Sequence, residues 1–507
     1  MENENRLIQE RIRKLGELKE DGVNPYPYAF NVSKKAEKIK NEHKNIDPET
    51  HTGKRESVAG RIMLFRRMGK ASFITVQDST ERIQLYFRAD DVGKESYKLL
   101  KKLDIGDFIG AKGEVFTTKT GEITIHVEEF SVLAKSIRPL PEKYHGLKNT
   151  ELTYRKRYLD LITNKESKQV FEKRSLILRE IREFLQDRGF LEVETPILHP
   201  IYGGAAAKPF TTHHNDHDMK LYLRISPELY LKRLIVGGFD KVFDINRNFR
   251  NESIDTTHNP EFTMLELYQA YADYNVMMDL LESMYDHVAR KVFGTTTFTF
   301  KGHHIDVAKP WKRITMLDAI KDYAGIDASN MTVEQLQDFA EENLIEMDKE
   351  INWGNLVAAI FEHYCEDKFI NPTFVIDHPK ESTPLCKAHK EDERLIERFE
   401  PFAAGMELAN AYSELNDPIK QRELLEDQQR QLSAGDVEAN PLDEDFLEAI
   451  ETGLPPTGGL GVGIDRMVMI MTGQDSIRDV ILFPTMKPSE QDQAETPCFD
   501  DDSSDDN

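Results

Sequence analysis

Between Val242 and Ala270 the chain reads VFDINRNFRNESIDTTHNPEFTMLELYQA, two alternating runs around a polar loop. By the two-residue period of a strand, Asp244, Asn246, Asn248 and Arg250 fall on one face of the first run. Phe262, Met264, Glu266 and Tyr268 share a face of the second. The loop over 251–261 carries Glu252, His258 and Asn259 and is too long for a tight hairpin turn. An arginine at a strand end can fork onto phosphate oxygens, and the ring of Phe262 can offer its face to a heterocycle. The stretch therefore predicts a cradle for a phosphate and a base. The competing reading is a solvated β-ribbon whose charges satisfy one another.

Two further stretches carry chemistry-bearing side chains. RFEPFAAGMELANAYSELND begins at Arg398, and GGLGVGIDRMVMIMTG begins at Gly458. In the latter, Gly458, Gly459, Gly461 and Gly463 let the backbone approach a ligand closely. No GK[ST] follows, so this is not a Walker loop, and Arg466 stands where a GxGxxG turn needs its third glycine. In the former, alternation places Glu407 on one strand face and Asn410, Tyr412 and Glu414 on the other. Either a bulge re-aims that strand, or the two sets act on different sides of it. His213, His214 and His217 lack a third kind of ligand nearby and read as a polar loop rather than a metal site.

Several elements must position these groups. The chain has 507 residues, enough for two or three domains with ample core. Its three cysteines, Cys365, Cys386 and Cys498, are widely spaced, which argues against a disulfide framework and fits a reducing cytosol. A densely charged N-terminus, and no apolar run near the ~18 residues of a membrane span, predict a cytoplasmic protein without a membrane segment. The formal net charge of −24 is unevenly spread: residues 1–150 carry +5 and residues 31–70 alone +6. A basic front on an acidic body permits local attraction to phosphates. Residues 488–507 hold eight acids and no base and read as a disordered acidic tail.

Residues 5–21 predict an amphipathic helix with Ile8, Ile12, Leu15 and Leu18 near one stripe. Five strand-like runs follow over 57–135, with a short helix near 96–103 between the third and fourth. That order is that of an OB-fold barrel. Alternation turns Ile74, Val76, Ile83, Leu85 and Phe87 inward, and Phe73, Gln84 and Tyr86 outward, with Arg66 close by. Residues 137–152 are proline-punctuated and read as a linker. A strong helical pattern over 166–188 ends at Gly189 and feeds FLEVETPIL. Residues 275–400 read as mostly helical, an insertion between site-bearing strands. The fold class expected is α+β: residues 1–150 form a helix, barrel and linker, and 151–487 an antiparallel-sheet domain flanked by helices.

FRNE followed by HNPEF, within GGFDKVFDINRNFRNE and HNPEFTMLELYQAYADY, resembles the second signature motif of class II aminoacyl-tRNA synthetases, most closely their lysyl branch. The helix and strand over about 166–200 resemble the first motif, which implies a homodimer, and 456–472 resembles the third. The class I signatures HIGH and KMSKS are absent. The resemblance covers about residues 5–487. It implies ATP held by Arg250, Glu252, His258, Asn259, Phe262 and Arg466, with Arg250 and Arg466 as the catalytic cations. Two or three Mg²⁺ ions would sit on Glu400 and Glu407. For lysine, it implies Gly204 and Glu228 on the α-ammonium, and Asn410 with Arg250 on the α-carboxylate. Glu414 and Tyr268 would take the ε-ammonium, with Glu266, Tyr412 and Gly461 lining the pocket. Arg66, Phe73, Gln84 and Glu122 would read the anticodon of tRNA-Lys. An aspartyl or asparaginyl enzyme and a non-enzymatic RNA-binding paralogue are the alternatives. Two departures stand out: Lys208 replaces the usual arginine of GGAxARPF, and LANAYSEL replaces IGNGFSEL.

Overall fold

The computed structural model describes residues 2–141, 149–347, 350–436 and 439–488. The tail from residue 489, and the linker between 142 and 148, lie outside the described residues. The chain divides into two compact units, Met1–Lys148 and Asn149–Asn507.

The first unit opens with helix α1 (Glu2–Glu20). Its buried line runs through Arg11 and Leu18, whereas Ile12, placed on the apolar stripe by sequence, is exposed. The cause is polar anchoring. The Arg11 guanidinium donates to the carbonyls of Ile105, Ser136 and Arg138, which rotates the helix away from a purely apolar contact. The barrel strands are β1 (His51–Met68), β2 (Ala71–Gln77), β3 (Arg82–Arg88), β4 (Phe108–Thr117) and β5 (Ile123–Ala134). They close in the order β1-β2-β3-β5-β4, with β3 and β5 parallel. Val58, Ile62, Ile74, Val76, Leu85, Ile109 and Ile125 fill the barrel. Period-two alternation thus did what the pleat requires, apolar in and polar or aromatic out.

The second unit is built on one sheet. Its strands are β6 (Leu191–Glu192), β7 (Lys241–Phe249), β8 (Glu261–Ala270), β9 (Lys312–Thr315), β10 (Thr373–Pro379), β11 (Leu395–Ala403), β12 (Met406–Glu407), β13 (Ala409–Ser413) and β14 (Thr457–Gly463). The order across the sheet is β9-β10-β11-β13-β14-β8-β7-β6, with β12 paired to β11. Only the pairs β7–β6 and β9–β10 are parallel. One face packs on three helices, α2 (Lys165–Gln186), α4 (Tyr274–Phe293) and α5 (Ile464–Thr472), which follow α1 in chain order with α3 (Glu228–Val236) between the first two. Phe243, Leu265, Leu267, Phe399, Leu460 and Val462 meet Ile177, Ile181, Leu281, Tyr285 and Met467 there.

The stretch 275–400 corrects the sequence reading. It contains β9, β10 and most of β11, so about a third of the sheet, three of its nine strands, comes from a region read as helical insertion. The compact helical part is smaller, with its own core of Ala319, Ile320, Leu336, Leu356, Ile360 and Phe361. The missed strand TFVIDHP is buried almost throughout, so it lacks the polar alternation that would have marked it.

Candidate active site

The opposite face of the sheet holds the polar side chains, because strand register lines them up. Asp244 pairs with Glu266 across β7 and β8, Glu266 with Gly461 across β8 and β14, and Gly461 with Asn410 across β14 and β13. One row along, Val242, Tyr268, Gly459, Tyr412 and Arg398 face each other in the same way. The glycines of β14 therefore form the floor of a groove whose walls are Glu266 and Tyr268 on one side and Asn410 and Tyr412 on the other. A Cβ at Gly459 would lie 2.5 Å from the Tyr268 ring and would strike a carboxylate oxygen of Glu414. No side chain fits that position.

The question of faces around Glu407 is settled by register. In β12, Glu407 pairs with Phe402, whereas in β13, Tyr412 pairs with Arg398. The sum of partner numbers shifts by one between the two, the mark of a β-bulge at Leu408–Ala409. The extra residue turns Glu407 to the face shared by Glu400, Asn410 and Tyr412. Alternation alone, which separated them, misses this.

At one end of the groove lie carboxylates and a buried lysine. Glu228 opens α3, and its backbone N–H donates to Ser226 Oγ at 3.1 Å. The Tyr412 hydroxyl donates to the Glu228 carboxylate, 2.9 and 2.8 Å from its two oxygens. Lys232, one turn on, donates to Glu228 Oε1 at 2.6 Å and forms an ion pair with Glu414. Burial works against the Lys232 ammonium, but the charges of Glu228 and Glu414 outweigh it and hold the group charged. Burial and the nearby Glu228 push the Glu266 carboxyl up to about 8, although Ser226 Oγ donates to it at 2.9 Å. Gly204 adopts φ +86 and sits so close to Glu228 that a Cβ would come 2.9 Å from the glutamate's own. Its backbone is thus beside Glu228, where the resemblance puts the α-ammonium. Asn410 Oδ1 accepts from Arg398 Nε at 3.0 Å. Lys232 is the residue that sequence reasoning missed. The signal was present in PELYLKRL, where Glu228 and Lys232 stand one helical turn apart.

The other end is rich in arginine. Arg250 lies over the Phe262 ring, 5.1 Å from its centre, and its Nε is buried with no hydrogen-bond partner among the described residues. Burial lowers its pKa from the ordinary arginine value, against the pull of Glu252, Glu407 and Glu266. Arg466 donates to the Glu407 carbonyl at 2.7 Å and carboxylate at 3.2 Å, and its second nitrogen is 3.2 Å from His258 Nε2. His258 is in turn held by Asp255, 2.8 Å from its Nδ1. Partial burial opposes ionisation of Asp255, yet hydrogen bonds from His258 and Thr257 hold it down at about 2. Glu400 forms an ion pair with Arg398. Asn259 is spent on the backbone: it donates to the Glu261 carbonyl at 2.6 Å and accepts from the Thr485 amide at 3.2 Å. Its side chain shapes the loop. Glu252 is exposed.

A clasp behind the groove ties three elements together. Asp465, at the start of α5, accepts from Arg174 of α2 at 2.6 Å and from the Thr263 amide of β8 at 2.7 Å. That fixes where Arg466 emerges.

On the barrel, Phe73 is half-buried and rests against Tyr86, with ring centres 4.8 Å apart. Tyr86 continues to Phe116 and His126 at 5.9 and 5.4 Å, so the outer face carries a run of rings. Gln84 Nε2 donates to Thr124 Oγ1 at 3.1 Å. Arg66 is exposed, and Glu122 lies 3.5 Å from Lys40. His213 and His214 sit on an exposed strand, and among the described residues no group of three or more His, Cys, Asp or Glu side chains is arranged to hold a metal. No helix among the described residues is long and apolar enough to cross a membrane. Cys365 and Cys386 are buried free thiols.

A glycine-floored groove on an antiparallel sheet, with arginines at one end and paired carboxylates at the other, agrees with comparison to known proteins. Residues 149–487 match the family model described as tRNA synthetases class II (D, K and N), and residues 56–133 match an OB-fold nucleic acid binding domain. The chain belongs to the class II tRNA synthetases of the D, K and N group. Within that class it is 54% identical over 487 residues to a lysine–tRNA ligase of Syntrophomonas wolfei, covering 96% of this chain and 98% of the relative. It is 53% identical to lysine–tRNA ligases of Carboxydothermus hydrogenoformans and Methanoculleus marisnigri, covering 96% and 94% of this chain and 98% and 94% of theirs.

Proposed function

We propose that this chain is a lysine–tRNA ligase that activates L-lysine with ATP and passes it to the 3′ end of tRNA-Lys. Three buried carboxylates, Glu228, Glu266 and Glu414, gathered around the single ammonium of Lys232 carry the reading. A cation is the ligand that such a group needs. Likeness to the lysine–tRNA ligases named above supports the same choice.

In this scheme the substrate's ε-ammonium meets Glu414 and Tyr268, and Glu228 with the Gly204 backbone takes the α-ammonium. Asn410 and Arg250 orient the α-carboxylate for attack on the α-phosphorus of ATP. Glu266, Tyr412 and Gly461 line the lysine. Lysyl-adenylate and pyrophosphate form, and a terminal hydroxyl of the tRNA then takes the lysyl group. Such phosphoryl chemistry needs positioning and charge neutralisation more than an acid or base. Arg250 and Arg466 supply fixed positive charge, Phe262 stacks the base, and His258, Asn259 and Glu252 shape the loop over it.

Glu400 and Glu407 fit a magnesium ion on chemical grounds. They are hard oxygen donors, and the bulge puts them on one sheet face. Burial, with Glu362, Glu400 and Glu407 nearby, pushes the neighbouring Glu366 carboxyl up to about 8. Mg²⁺ held there would screen the ATP phosphates. Arg66, Phe73, Gln84 and Glu122 on the barrel read the anticodon, the site forms in a homodimer, and the enzyme works in the cytoplasm. Lysine-dependent ATP–pyrophosphate exchange tests the reading. Exchange driven by lysine, and not by aspartate or asparagine, is the expected result, and exchange with either of those two instead would overturn it.

A further inference from the structure

The substrate assigned to this pocket is lysine, and the pocket already contains one. Lys232 is fully buried, as is Glu414, and the ammonium bridges the two carboxylates to which the substrate's two ammonium groups are assigned. It is not a mobile group. Its side chain leaves a helix one turn after Glu228 and is boxed by the rings of Tyr412 and Phe446, 5.7 and 6.0 Å from its nitrogen. Leu231 and Ile235 on the same helix pack in the cluster that contains both rings.

We propose, building on the lysine reading above, that Lys232 is a positioning and specificity-determining residue, a permanent strut between Glu228 and Glu414 that stays in place when lysine binds. Two buried carboxylates facing each other without a cation would share a proton. A protonated Glu414 is no partner for an ammonium. Lys232 offsets that repulsion and fixes the position of both groups.

The test is Lys232→Met, which keeps length and removes charge, read by lysine-dependent pyrophosphate exchange with a thermal melt to confirm folding. Losing one partner of a buried ionic set predicts a rise in lysine KM of about 100-fold or more. The KM for ATP and kcat at saturating lysine should stay within a few-fold. A second variant, Lys232→Ala, covers the case in which the first folds poorly. Ethylammonium added to it should restore lysine activation at least tenfold, and ethanol should not. A lysine KM within fivefold of wild type, or below it as expected of a plug that competes with substrate, would overturn the proposal. So would equal losses toward ATP and lysine, or equal rescue by ethanol, which would mark Lys232 as scaffold only. Absence of lysine-dependent exchange in the wild-type protein would instead overturn the activity reading on which this inference rests.

Discussion

At the end of the groove proposed for the amino acid the charges are tied to one another inside the protein, Glu228 to Lys232 and Tyr412, and Glu414 to Lys232. At the other end Arg250 is buried with its Nε unpartnered, and Arg466 leans on a backbone carbonyl and one carboxylate. The difference has a physical reason. A pocket that must tell one side chain from another has to be rigid before the ligand arrives, because specificity comes from groups that cannot relax around the wrong one. The end proposed for the phosphates faces a ligand that brings several charges of its own, so Arg250 can remain underpaired until then.

The comparison can be broken first at the arginine end. Arg250→Gln removes the cation that the proposed scheme gives to both the carboxylate and the phosphate, and should lower kcat of pyrophosphate exchange by about 10³. A loss below tenfold would mean that its unpartnered state has no bearing on charge in the transition state. Next comes the closed end. Glu414→Gln keeps the shape and removes the charge, which breaks half of a buried pair at a cost of roughly 3–5 kcal/mol. That corresponds to about 10²–10³ in kcat/KM for lysine, with far less change in KM for ATP. A folded variant within fivefold of wild type would make Glu414 a bystander. The smallest effect belongs to the barrel. Phe73→Ala should slow tRNA charging by about 10–100-fold, since a lost base stack costs roughly 1–3 kcal/mol, and leave exchange without tRNA near normal. A parallel fall in exchange would show that the Phe73–Tyr86 contact matters for folding rather than for RNA.

Much of this was legible in the sequence where a period reported a one-sided surface. DINRNFR and FTMLELY each set one face apart at every second residue, and the register places those faces side by side. The barrel was legible for the same reason. Three things were not. TFVIDHP is buried on both sides, so no alternation betrays it. The bulge at Leu408–Ala409 is a property of pairing with β11, which a single strand's pattern does not contain. Lys232 looks like an ordinary helix-surface lysine paired one turn back, and only the packing of Tyr412 and Phe446 shows it to be interior. Ile12 shows the reverse: an apolar residue at the right spacing, turned outward because Arg11 found three carbonyls.

The glycine strand β14 has a consequence for how the protein is made. It lies at the centre of the sheet between β8 and β13, yet it comes from residues 457–463, close to the end of the chain. With four glycines in seven residues it has little strand preference of its own and needs both neighbours as templates. Its pairing with β8 joins residues almost two hundred positions apart, a slow kind of contact to form. During synthesis, β8 and β13 must therefore wait with open edges until residues 457–463 arrive, and an open edge invites pairing with other chains. A ribosome that stalls before residue 457 releases not a weaker enzyme but a sheet in two halves.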